Sequence, residues 1–201
     1  MIPKLAQDLL DVWFEDVLTH PERMSEVSRR WFAKNPAFDA LLQERFAPTL
    51  EAAAQELPAD WLATQEGHFA LILLLDQLSR NLFRGTPAAF AQDPQALALA
   101  RQAVAEGWHE NLHPLQRVFC YLPYEHSEDP ADQAEALRLF AALTAAVPEA
   151  DRPTFAFYED YARKHADVIE RFGRFPHRNA ILGRESTPAE QAYLQEPGAG
   201  F

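Results

Sequence analysis

Tyr158–Phe172 reads YEDYARKHADVIERF, and it decides the fold class. Tyr158, Tyr161, His165, Val168 and Phe172 follow one another by three, four, three and four positions, the spacing that gathers side chains on one face of an α-helix. The same rhythm returns at Phe38, Leu41, Leu42 and Phe46, and at Ala134, Leu137, Ala141 and Thr144. No segment alternates with period two over β-branched residues, so the reading is all-α. Phe69–Leu75 (FALILLL) is apolar all round, which places its helix at the centre of the molecule.

Proline supplies the punctuation. Asn35-Pro36, Thr86-Pro87, Asp93-Pro94, Asp129-Pro130 and Thr187-Pro188 each set a capping side chain before a proline, the order expected of an N-cap followed by the first helical residue. Glu190 follows Thr187 by three and completes a capping box. These marks predict helices over about 3–18, 23–33, 36–46, 61–84, 88–106, 114–122, 130–147, 154–172 and 188–195. Residues 1–195 are expected to form a single all-α domain, with 196–201 (EPGAGF) a flexible tail. Short links favour antiparallel neighbours and hence stacked helical hairpins.

The totals bound the function. A chain of 201 residues suits one domain of ordinary size, or two small ones, and at 48% hydrophobic it can bury a real core. A formal net charge of -12 argues against nucleic acid or an anionic membrane as partner, because both need a basic surface. A single cysteine, Cys120 in the apolar run VFCYL, excludes an internal disulfide and fits a reducing compartment. With no apolar leader at its N-terminus, the chain reads as cytoplasmic.

Against that acidic background, positive charge is concentrated. Of 18 basic residues 15 are arginine, and Arg171, Arg174, Arg178 and Arg184 fall within fourteen positions. Arginine rather than lysine suits planar, two-pronged pairing with carboxylate or phosphate. If helix direction alternates, three polar connections emerge at one end of the stack: Asp76–Pro87, Pro123–Pro130 and Gly173–Thr187. Their side chains form the candidate ligand site: Arg80, Asn81, Arg84, Glu125, His126, Glu128, Arg174, His177, Arg178 and Asn179.

Three functions fit such a cluster. The first is a binding module for an acidic small molecule or peptide. The second is an acid-base enzyme, hydrolase-like, with His126 beside Glu125 and Glu128 as proton donor and His177 among arginines as acceptor. The third is a scaffold in which Arg80, Arg84, Arg174 and Arg178 simply pair with Asp76, Glu125, Glu128 and Asp129. His165, in the apolar stripe of its helix, reads as a hydrogen-bonded core residue. Trp13, Phe14, Trp31, Phe32 and Trp61 read as packing anchors. Glu106/His109 and Glu110/His113 spell ExxH twice, but around Gly107 and Pro114, which spoils the helical spacing a metal site needs, so no metal is assigned. No phosphate- or dinucleotide-binding loop occurs, so no cofactor is expected. Oligomeric state is not written in the chain.

Three blocks, LLLDQLSRNLFRGTPAAFAQD, FCYLPYEHSEDPADQ and HADVIERFGRFPHRNAILGRESTPAEQAYL, resemble a bacterial family known as domain of unknown function 924. The resemblance runs from about Leu9 to Leu194. It implies a tetratricopeptide-like, right-handed array of helical hairpins and supplies no activity or catalytic residue.

Overall fold

In the computed structural model, which describes residues 1–200, every regular element is helical. Phe201, the last residue of the expected tail, lies outside the described residues. The chain packs as two compact units, one of Met1–Arg84 with Ala88–Cys120, the other of Gly85–Pro87 with Tyr121 onward. Among the described residues no helix is long and apolar enough to cross a membrane.

The first unit opens with α1 (Lys4–Phe14) and α2 (Met24–Phe32). Trp13, Phe14 and Trp31 are buried, and Trp31 donates its indole N–H to the Trp13 carbonyl at 2.9 Å. α3 (Pro36–Gln55) starts as its sequence predicts, with Asn35 accepting from the Phe38 N–H at 3.1 Å and Pro36 in the first turn. It then runs nine residues past the predicted end at 46, through Pro48. Burial explains the difference: Phe46, Ala47, Leu50 and Ala53 fall on both sides of Pro48 and hold the helix together across the missing N–H. After α4 (Ala59–Leu62), α5 (Gln65–Leu73) is capped by Thr64. Gly67 is required there, since a methyl group on it would sit 2.4 Å from the Trp61 carbonyl oxygen.

The predicted continuous helix over 61–84 is interrupted. Leu74–Leu78 forms a π-helical turn before α6 (Ser79–Leu82), and every residue from Gly67 to Ser79 is buried. A π turn inserts a residue into the helical ladder and re-aims the next turn, a distortion frequent at functional sites. Here it accompanies Asp76, Gln77 and Ser79, polar residues inside an apolar run. Asp76 accepts from Gln77 at 2.6 Å and pairs with Arg80 at 3.1 Å. Among the described residues the Ser79 hydroxyl has no hydrogen-bond partner. An unmet buried hydroxyl costs about 1–3 kcal/mol, so Ser79→Ala is expected to raise the unfolding midpoint by at least about 2 °C and up to about 12 °C. An unchanged or lower midpoint in a thermal melt would show that the hydroxyl is satisfied.

α7 (Asp93–Ala105) packs on α5, tied by the buried His68 Nε2 against the Leu99 carbonyl at 2.9 Å. Asp93 does not cap this helix: Arg80 takes both of its carboxylate oxygens, at 2.8 and 3.0 Å. Glu106 ends α7, Gly107 turns left-handed, and Trp108–Asn111 is a 3-10 turn, so neither ExxH pair lies along one helix.

α8 (Pro114–Glu125) contributes its residues up to Cys120 to the first unit and the rest to the second. Burial pushes the Cys120 thiol up to about 12, which leaves it protonated and unreactive. In the second unit α9 (Pro130–Ala146) and α10 (Arg152–Phe172) pack along each other. α11 (Pro188–Tyr193) has the predicted capping box at Thr187 and Glu190.

Candidate functional site

The second unit gathers seven of the ten predicted site residues: Glu125, His126, Glu128, Arg174, His177, Arg178 and Asn179. Two connections far apart in sequence meet there. Glu128 accepts from the Phe175 backbone N–H at 2.8 Å and takes the Arg184 guanidinium in a two-pronged pair at 2.7 and 2.9 Å. Burial pushes the Glu128 carboxyl up, but the Arg184 and Phe175 hydrogen bonds and the charges of Arg184 and Arg178 bring it below its ordinary value.

Each side of this junction is held locally. Gln133, buried on α9, directs its amide N–H groups at the carbonyls of Tyr124, Glu125 and Ser127, at 3.3, 2.7 and 2.6 Å. Asp129 caps α9 by accepting from Ala131 at 2.8 Å. On the other side, Gly173 ends α10 in a left-handed conformation (φ 68°) and sends the chain into a 3-10 turn at Pro176–Arg178. Arg184 also donates to Asn179 Oδ1 at 2.9 Å and to the Phe175 carbonyl at 3.1 Å, and Asn179 donates to Ser186 at 3.1 Å.

Arg174 is consumed in the same way. It forks onto the buried Glu190 at 2.6 and 2.9 Å and donates to the Glu185 carbonyl at 2.8 Å. The Arg174 hydrogen bond, ahead of the Thr187 N–H, holds the Glu190 carboxyl down at about 2. Arg174 and Arg184 therefore clasp the 173–190 segment: the scaffold reading placed Arg174 against Asp76, Glu125, Glu128 or Asp129, whereas it forks onto Glu190, and Arg184, which that reading did not include, takes Glu128.

Deeper in the unit lies a ring-lined cluster. His165 is 6% exposed, with Nδ1 2.9 Å from the Tyr161 carbonyl and 3.0 Å from Glu125 Oε1. Two acceptors around one nitrogen assign the proton to Nδ1. Its ring centroid is 6.2 Å from that of His126 and 5.5 Å from that of Phe175, which lies 5.6 Å from that of His177. The buried Arg178 guanidinium covers the Phe175 ring at 4.5 Å. Burial first, then the charges of His126, Arg178 and His177, lower His165 to about 3. At neutral pH it is an uncharged imidazole, and too weak a base to accept a proton in catalysis.

Arg80, Asn81 and Arg84 belong to the first unit, where their partners are acidic. Arg80 holds Asp93 and Asp76, Asn81 donates to Asp39 at 2.9 Å, and Arg84 lies 3.6 Å from the same carboxylate. Sequence reasoning left out His165, Arg184 and Phe175. Arg184 stood among the four clustered arginines, and its omission was avoidable. His165 and Phe175 carried only the signal of an apolar stripe.

Comparison with known proteins bears on the whole chain. The family model described as a bacterial protein of unknown function (DUF924) matches residues 9–198. A solved structure, a protein of unknown function, ATU0120, from Agrobacterium tumefaciens, is 40% identical. The match covers 95% of this chain and 97% of that one, with a TM-score of 0.78. No curated protein matches.

Proposed function

This chain belongs to the DUF924 family of bacterial proteins of unknown function, and from that premise we propose that it is a binding module for an acidic small molecule or peptide. The site is the pole of the second unit where His126, His177 and Arg178 surround Phe175 and His165. One observation carries the reading: a guanidinium and two imidazoles are packed around the buried Phe175 ring, with a third imidazole, His126, against His165, beside the Arg174 and Arg184 forks that order the segment carrying them. The field of this cluster is positive enough to help depress His165, and a positive potential at a partly desolvated pole favours an anion. Glu125, buried 3.0 Å from His165, orients the imidazole. A carboxylate has the planar shape that guanidinium and imidazole donors match.

Citrate, inorganic phosphate and a short acidic peptide are the probes. A ligand present at a hundred times its Kd adds about 2.7 kcal/mol to stability, an upward shift of about 5–10 °C for a chain of this length. At least one probe should give it. His126 is half-buried, so His126→Asn should keep the fold and remove the shift. No shift with any probe, or a shift untouched by His126→Asn, rejects the site.

A further inference from the structure

After α11 the chain does not leave the second unit. The Glu196 N–H donates to the Tyr193 carbonyl at 2.9 Å and the Ala199 N–H to the Glu196 carbonyl at 3.1 Å, two successive turns that fold the segment back. Glu196 lies 3.6 Å from Arg171. Ala199 packs against the buried cluster of Val168, Ile169, Phe175 and Tyr193, the cluster that contains the ring at the heart of the candidate site. Gln195–Gly198 are exposed, whereas Ala199 and Gly200 are half-buried, so the chain dips inward at those two residues.

Gly200 approaches His177 closely. It has φ 91°, and a methyl group placed on it would lie 3.1 Å from His177 Cβ and 3.7 Å from Cγ. Glycine is thus demanded twice, by the left-handed backbone and by the space His177 leaves. Among the described residues the segment is held by the Ala199 contact, the two turns and a half-exposed ion pair of the kind that contributes little. A terminal segment with exposed residues, shaped closely to a side chain, suits closure that reverses.

We infer that Glu196–Gly200 is a strap that closes over His177 and must lift for a ligand to reach it. As regulation of the acidic-ligand site this rests on the binding-module proposal; as a shield over His177 it stands on the approach of Gly200 and the packing of Ala199 alone.

Diethyl pyrocarbonate, which acylates accessible imidazole nitrogen, reads the shield directly. Peptide mass spectrometry would give the acylation rate of His177 relative to His20, whose side chain is 55% exposed and serves as internal standard. The His177/His20 ratio should rise at least threefold in a chain ending at Gln195. It should rise likewise in the full chain carrying Gly200→Val, where an added side chain strains the left-handed backbone and crowds His177. An unchanged ratio in both overturns the strap. Citrate titration of the same proteins separates the two readings. Tighter binding to the shortened chain supports strap and ligand together. A raised ratio without citrate, phosphate or peptide binding in any variant keeps the strap and sinks the ligand reading. Binding lost in His126→Asn, beside an unchanged ratio, does the reverse.

Discussion

Between pH 6.5 and pH 5 the protein should lose stability steeply on acidification, and His165→Gln should remove a large share of that loss. The folded state holds His165 at about 3, against an ordinary value of 6.5. Below 6.5 the unfolded chain takes up a proton that the folded chain refuses, so stability falls with pH at up to ~1.4 kcal/mol per unit for one such group. The fall continues to the folded value near 3, for a total of several kcal/mol. Above pH 5 most carboxylates are silent, which makes that window the clean one. His68, also lowered by burial, contributes the same sign and remains in the variant. Urea unfolding at pH 5.0, 5.5, 6.0 and 6.5 gives the slope. Equal slopes in wild type and variant would mean that Glu125, 3.0 Å away, keeps His165 charged in the folded protein.

The depression of His165 depends on company that could not be seen in the chain. His165 lies forty positions from Glu125, and its stripe of apolar neighbours marks burial without naming partners. The legible part rests on local chemistry. Asn35, Asp129 and Thr187 cap where a polar residue precedes proline, because capping involves only the next three residues. The meeting of 123–130 with 173–187 was also foreseeable, since alternating helices return such connections to one end, and the Glu128–Arg184 pair joins them. Where long-range packing competes with a local signal, the local signal loses. Pro48 fails to stop α3 because buried side chains hold both halves, and Asp93 fails to cap α7 because Arg80 offers a two-pronged partner. The π turn at Leu74–Leu78 leaves no mark in apolar spacing at all, for a run buried on every side has no period to disturb.

Phe119→Ala should be the most damaging single truncation in the first unit, and Phe32→Ala provides the comparison that explains why. The Phe119 ring is fully buried, with the rings of Trp13, Phe14, Trp31 and Phe32 at centroid distances of 5.6, 5.4, 4.9 and 6.0 Å. Three of these contacts are edge-to-face, the arrangement aromatic quadrupoles favour. Removing the ring deletes its transfer free energy and leaves a cavity walled by rigid indoles that cannot collapse into it, a loss of about 3–5 kcal/mol. For a chain of this length that lowers the unfolding midpoint by about 10 °C. Phe32 stacks on the same ring but is 49% exposed, so its removal opens no enclosed space and should cost about 1 kcal/mol. Urea midpoints of the two variants, at matched slope, test the difference. Equal losses would mean that the rings act as pairs, each contact counting the same wherever it lies. A loss several times larger at Phe119 would locate the stabilisation in enclosed volume, which is the quantity that the apolar run VFCYL encodes.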